Sequence, residues 1–480
     1  MVRRPLLALL VALLALPLAA CGGSDKSSSA GTGGEGGSAI VPKSAPLVVR
    51  LDTTFASPQW NALNALLKKF PDGDQVFTEI AGPGVDFEHD VKPALGPETD
   101  MFTLSGQDFT NEVFLAATQP RDQAKFEQLI AKGKNNPVSE EIDGWQVVAE
   151  KRETIDRYKV AKRNGTIIDS ESYKAAVKSL PEAALATIYV DGPTLSRTIA
   201  TQAKTGTGSG PVPGLGRIGW LAGAVSAEQK GFALDLRLQG DELEVTPFKA
   251  ELPGQVPADV ALFVDLKGLD AALEEAKRSP ALQKQLGPAE KSLGGLIDEV
   301  IALFKGETAF TVRDGAAGTE YTLVALVADE SAASATLDKV STLVGAYSQK
   351  APEDIQVAGV SAKKLTLGKV SIYYAVFDSK LVVTNAEDGI AALKEGPRLA
   401  DSQAYKDAAK AAGLPDQTAG ILYADVPKLL PVIDKPARSG KNGKPLSPEV
   451  KRNLEALSTA IFYGALDGDV LTIKGFASVR

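Results

Sequence analysis

The run Ser172-Tyr173-Lys174, then Leu180-Pro181, then Tyr189-Val190-Asp191 returns later in the chain as Ala404-Tyr405-Lys406, Leu414-Pro415 and Tyr423-Ala424-Asp425. Order and spacing agree to within two residues. Each copy reads as a helix, a Leu-Pro break and a strand, and Leu195 and Leu429 extend the match. Upstream, Val41-Pro42 with Leu47-Val48-Val49-Arg50-Leu51 matches Val256-Pro257 with Leu262-Phe263-Val264-Asp265-Leu266, and Gly96-Pro97-Glu98-Thr99 matches Gly306-Glu307-Thr308. Downstream, Gly223-Ala224-Val225 matches Gly464-Ala465-Leu466. Self-similarity in the same order along the chain is the mark of a repeated unit, so we expect two tandem copies, residues 41–255 and 256–480.

Strand-like runs alternate with amphipathic ones at Pro58–Phe70, Phe87–Leu95, Arg121–Lys132, Leu269–Lys277, Leu296–Phe304 and Ala332–Tyr347, and short turns such as Asp467-Gly468 join neighbouring strands. The expected fold is α+β, with mainly antiparallel sheets, helices packed on them, and two lobes. Val370–Phe377 and Lys380–Thr384, separated by Asp378-Ser379, form a hairpin expected only in the second copy. The first copy carries the polar segment Lys151–Asn164 instead. Thr205–Gly219 and Asp434–Pro448 read as loops at the same place in each copy.

Ahead of the repeats stand Arg3 and Arg4, an apolar run from Pro5 to Leu16, and Leu18-Ala19-Ala20 directly before Cys21. Charge, apolar core and small residues make residues 1–20 a signal peptide, and a cysteine at the cut makes Leu18, Ala19 and Ala20 a lipobox. The apolar run is too short for a membrane span of roughly twenty residues. Residues 21–40 are rich in Gly and Ser and read as a flexible tether. The expectation is an extracytoplasmic protein held by lipid on Cys21 to the outer face of the cell membrane, or to an outer membrane in a diderm host.

Losing residues 1–20 removes Arg3 and Arg4 and takes the formal charge from -8 to -10. An acidic surface of this kind disfavours nucleic acid. Cys21 is the sole cysteine, so lipidation leaves neither a disulfide nor a thiolate metal site. Four hundred and sixty residues exceed a single core and call for at least two.

The lipobox and tether, the Val-Pro opening strand, the Gly-x-Glu strand entry and the Tyr-Lys helix leading through Leu-Pro to a Tyr-x-Asp strand together resemble the bacterial domain-of-unknown-function family 3352, common among envelope proteins of actinobacteria and related bacteria. The resemblance spans nearly all of 41–480. It implies an envelope location and carries over no catalytic or binding residue.

The chemistry-bearing residues are sparse. His89, the single histidine, lies on a helical stretch without a nucleophile elbow and reads as solvated. Gly214-Leu215-Gly216-Arg217-Ile218-Gly219 has dinucleotide-binding spacing but follows a loop and precedes a strand, the reverse of what that site needs. Asp191, Asp265 and Asp425 end strand runs before helical ones and read as helix caps. Asp72 and Asp74, and Asp467 and Asp469, flank glycines and read as turns rather than calcium ligands. Trp60, Trp145 and Trp220 read as core. Lys151, Arg152, Arg157, Lys159, Lys162 and Arg163 outnumber Glu153 and Asp156 and form a candidate membrane-facing basic segment. No metal or cofactor is expected.

These readings favour a non-catalytic binding or structural module whose partners are the membrane, through Cys21, and an envelope protein or ligand of unknown identity. The alternatives are a hydrolase working with two carboxylates and a carrier of a lipid-like ligand. A cleft with two facing carboxylates would mark the first, and an apolar cavity the second.

Overall fold

A computed structural model describes residues 37–480 except 134, 179, 195, 199–217, 241–244, 279–294, 317, 349, 369 and 435–445. The signal peptide, Cys21 and most of the tether therefore lie outside the described residues, as do Leu195, Gly214–Arg217 and most of both expected loops. No described helix is long and apolar enough to cross a membrane.

Alternating apolar residues and tight turns produce eighteen strands among the described residues, joined into one sheet with every pairing antiparallel. In chain order they are β1 (Leu47–Asp52), β2 (Glu98–Phe102), β3 (Leu115–Thr118), β4 (Val138–Ile142), β5 (Trp145–Ala149), β6 (Ala186–Asp191), β7 (Ile218–Glu228) and β8 (Gly231–Gly240). They continue as β9 (Leu262–Lys267), β10 (Glu307–Gly315), β11 (Gly318–Leu326), β12 (Glu353–Val357), β13 (Val360–Leu367), β14 (Val370–Phe377), β15 (Lys380–Thr384), β16 (Gly420–Asp425), β17 (Leu457–Asp467) and β18 (Val470–Val479).

Across the sheet the order runs β4-β5-β3-β2-β1-β6-β7-β8, passes through the β8–β18 pair, and continues β18-β17-β16-β9-β10-β11-β15-β14-β13-β12. Read outward from the seam, the first eight positions on each side follow one pairing plan: β9 sits between β10 and β16 as β1 sits between β2 and β6.

The recurring motifs have local reasons. Tyr173 and Tyr189 meet edge to face with centroids 5.2 Å apart, and Tyr405 and Tyr423 do the same at 5.2 Å, each pair pinning a helix to a strand. The Val-Pro segments bridge to Thr166 through Pro42 and to Arg398 through Pro257. Gly96 and Gly306 abut the neighbouring strand so closely that a Cβ would lie 1.9 Å from the Gln119 carbonyl oxygen and 2.2 Å from that of Leu326. Only glycine allows that approach.

Three expectations change. The β14–β15 hairpin is not peculiar to the second half, because β4–β5 occupies the matching place beside β3, turning at Asp143-Gly144 with both φ positive (51° and 77°). The polar segment expected in its place is a helix, Arg152–Lys162, beyond that hairpin. What the second half adds is the β12–β13 hairpin; its helix Glu330–Ser348 is a longer counterpart of Gln123–Lys132, which likewise follows the strand before the hairpin. Third, Gly464 does not stand where Gly223 does. Tyr189 faces Ala222 across the pair, and Tyr423 faces Ile461, which puts Gly464 at the place of Val225.

The first core gathers Ile40, Val41, Val48, Phe102, Tyr158, Tyr173, Tyr189 and Trp220. The second gathers Leu252, Val256, Phe263, Tyr405, Tyr423, Ile461 and Phe476. Val470 packs on the first and Phe476 belongs to the second; an even spacing along β18 puts both cores on one sheet face. Helix Pro58–Leu67 covers the reverse face, with Leu66 against Ala227 and Val479. The expected boundary at 255/256 falls inside a segment, 248–260, that packs on the second core through Leu252, Val256 and Val260.

Candidate functional site

Charges in strand interiors are costly unless paired, and β1 and β9 each bear one at the same place. In β1, the period of two puts Arg50 on the face of Val48, toward the first core. Asp100 lies directly opposite on β2, fully buried, with its Oδ1 3.2 Å from Arg50 Nε, and Glu98 Oε1 lies 3.3 Å from the same nitrogen. Arg50 Nη2 donates to Ser38 Oγ, which lies 3.1 Å from the Tyr173 hydroxyl. The turn Gly37–Ala39 thus covers the cluster in part, leaving Asp100 fully buried and Arg50 and Glu98 about a quarter exposed.

Asp100 Oδ2 meets no donor. Burial drives the Asp100 carboxyl up to about 7, Arg50 opposes this, and Glu98 reinforces it. A proton on Asp100 removes a charge from the fully buried end of the cluster, the form that burial favours.

In β9 the corresponding charge is Asp265, fully buried between Ala309 and Ile421. Neither carboxylate oxygen meets an N–H or hydroxyl donor. Its neighbour is the carboxyl of Glu307, the counterpart of Glu98; burial first, and then Glu307, hold Asp265 well above the usual carboxylate range. The nearby N–H of Leu266 opposes this without reaching hydrogen-bond geometry. Glu307 accepts the N–H of Glu251 at 2.9 Å and of Leu252 at 2.7 Å. Its own carboxyl is also raised, by burial, against the pull of those N–H groups. Asp265 is therefore not the helix cap expected of it.

Asp191 and Asp425 do cap, accepting the N–H of Thr194 at 2.9 Å and of Lys428 at 3.4 Å. Trp60, Trp145 and Trp220 are all buried. His89 is 85% exposed and contacts Asp86. Asp72 takes a bond from Asn453 and an ion pair from Arg452, and Asp467 leads into the β17–β18 turn. Ile218 and Gly219, the described end of the glycine motif, open β7.

The basic segment is a helix whose cations are largely matched. Arg152 and Lys159 pair with Glu140, Arg157 grips Asp108 with bonds of 3.0 and 2.7 Å, and Lys162 pairs with Asp143, whereas Lys151 and Arg163 are exposed. A cavity bounded by Pro46, Leu47, Gly106, Phe109, Val190 and Thr194 has a volume of about 10 Å³, room for one water. No group of three or more potential metal-ligating side chains occurs among the described residues.

Arg50, Asp100 and Glu307 escape a motif search. Their signal is a charged residue at an inward position of an alternating strand run.

The fold and these buried carboxyls define a mixed α/β protein built on one large antiparallel sheet. The model of the family described as "Protein of unknown function (DUF3352)" matches residues 147–460, and the chain belongs to that family. No curated protein matches it. Among solved structures, crystal form III of TP0453 is 8% identical, with a TM-score of 0.25 over 46% of this chain and 83% of that one. Crystal form IV gives 9% and 0.23 over 42% and 79%.

Proposed function

We propose that this protein is a lipid-anchored extracytoplasmic module of the cell envelope that binds an envelope component through its outer surface and catalyses no reaction. The observation that carries the anchoring is the lipobox at Leu18–Cys21, followed in the sequence by a Gly- and Ser-rich stretch. Fifteen residues separate Cys21 from Gly37, and a Gly- and Ser-rich coil of that length would span roughly 21 Å, which would keep the fold beside the lipid surface. The non-catalytic reading is supported by where the perturbed carboxyls lie: Asp100 and Asp265 are both fully buried, beneath the turns that begin at Gly37 and Leu252, out of reach of a substrate. Two tandem copies of one ancestral unit, 41–255 and 256–480, are part of the proposal, and the shared pairing plan and tyrosine pairs support it. The pairing of the basic helix with acids makes it a structural element in this reading rather than a membrane patch.

Growth with an alkyne-bearing fatty acid tests the anchor. Label is expected on the wild-type protein and none on Cys21→Ser; equal labelling of both refutes it. Crosslinking in living cells tests the binding role, and recovery of no partner above the Cys21→Ser control counts against it.

A further inference from the structure

In the first half a guanidinium lies against the buried Asp100 carboxyl and against Glu98, whereas in the second half the same place on the sheet holds two carboxyls and, among the described residues, no cation. We propose that the Asp265–Glu307 pair is a proton-operated latch that fastens segment 248–260 onto the second core. Two carboxyls that face each other in a dry site join only by sharing a proton, the O–H of one donating to an oxygen of the other. Glu307 already accepts the N–H groups of Glu251 and Leu252, so the proton belongs on Asp265 and Glu307 is the acceptor throughout.

The latch therefore has two sides. Asp265 holds Glu307 from the floor of the sheet, and Glu307 holds the backbone of 251–252. Segment 248–260 contributes Leu252, Val256 and Val260 to the core, all fully buried. Proton loss from Asp265 puts two anions face to face, and the relief open to them is for water to enter by lifting 251–252.

The other charged and titratable groups around the pair do not replace the proton. Glu251, on the segment itself, adds a further negative charge beside Glu307. Tyr405, from helix Gln403–Ala412, is itself pushed up by burial and then by Asp265 and Glu307, and Tyr423 on β16 is pushed up by burial. Lys267 stands opposite Glu307 in the register but is exposed, and no ion pair between them is found among the described residues. Arg398 and Lys428 hold the carbonyls of Gln255 and Ala258 further along and keep that end of the segment in place when the latch opens.

The closed form carries one more proton than the open one, so opening becomes easier as pH rises. The dependence begins above the ordinary carboxylate range and ends where Asp265 ionises in the closed form, with up to about tenfold in the opening constant per pH unit. Hydrogen–deuterium exchange of the full protein in detergent, corrected for intrinsic rates, reads it directly. From pH 5 to 9 the protection of peptides within 248–260 is expected to fall more than tenfold relative to β17. Asp265→Asn, whose amide donates to Glu307 without a titrating proton, is expected to abolish the fall.

Should Asp265→Asn not fold, Glu307→Gln accepts the same N–H groups and removes the facing anion while Asp265 stays buried and titratable, so it is expected to shrink the fall without abolishing it. Protection in the wild type that does not change with pH overturns the latch. So does a fall of equal size in either folded variant.

Discussion

Replacing Arg50 by leucine removes the cation that Glu98 and Asp100 share while keeping an apolar stem beside Val48. Asp100 is fully buried and has one oxygen without a donor even in the wild type. Deleting one partner of a buried pair costs on the order of 3–5 kcal/mol, because the remaining charge stays desolvated. Arg50 keeps 27% of its side-chain exposure and Glu98 25%, so Glu98 can turn to water and the lower figure, about 3 kcal/mol, applies. That is a large part of the roughly 5–15 kcal/mol that holds a domain folded.

The cost carries a pH signature. In the wild type the folded state keeps a proton on Asp100 up to about 7, so this contribution is complete below the ordinary carboxylate range and is lost as pH climbs to that value. Without the guanidinium the carboxyl rises further and the loss continues above pH 7. The penalty of Arg50→Leu is therefore larger at pH 8 than at pH 5, by up to about 1.4 kcal/mol for each unit added to the window. Adding Asp100→Asn, which supplies an amide donor and no charge, is expected to recover at least half the loss. Urea unfolding of the detergent-solubilised protein at both pH values measures all of this. A penalty below about 1 kcal/mol, a penalty equal at both pH values, or a double variant less stable than Arg50→Leu would refute the reasoning.

Glu320→Ala removes the bidentate partner, at 2.7 and 2.8 Å, of an Arg313 guanidinium only 12% exposed, and leaves it the Asp259 carboxylate at 3.2 Å and the Asp388 carbonyl at 2.9 Å. It is expected to lower stability by about 3 kcal/mol in the same unfolding assay. Arg152→Ala breaks a surface pair with Glu140 and is expected to cost less than about 1 kcal/mol. Gly475→Val would set a Cβ 2.1 Å from the Phe462 ring that lies over it; calorimetry should show a clear drop in melting temperature, with a loss of at least about 1–3 kcal/mol from overpacking. Tyr158→Phe removes the buried bond to the Ile40 carbonyl, 2.8 Å long. The expected loss is about 1 kcal/mol, with faster protease cleavage near residues 37–42.

Short-range physics made much of this protein legible from its residues. A period of two, broken by Asp467-Gly468 or Asp378-Ser379, identifies strands and hairpins because side-chain alternation and turn dihedrals are properties of a few adjacent residues. The Tyr-Lys and Tyr-x-Asp motifs stood out because an edge-to-face ring pair tolerates few substitutes, and the Gly-x-Glu entries because Gly96 and Gly306 lie against the carbonyls of Gln119, just past β3, and of Leu326 on β11. Even the helix Arg152–Lys162 was visible as a basic run; what was invisible was that Glu140, Asp108 and Asp143 come from other elements to meet it.

The partners of charges and strands were decided only by the tertiary structure. Val48-Val49-Arg50 and Phe263-Val264-Asp265 look alike as strand runs, yet one brings a cation and the other an acid beneath a covering turn. Which face is covered depends on segments 37–46 and 248–260 rather than on the strands themselves. The β8–β18 pairing, from Gly231 opposite Ser478 to Gln239 opposite Val470, joins residues more than two hundred positions apart. Backbone hydrogen bonds are the same for any strand pair, so no residue along β8 announces its neighbour. The choice falls to the combined burial of both cores on a single sheet face.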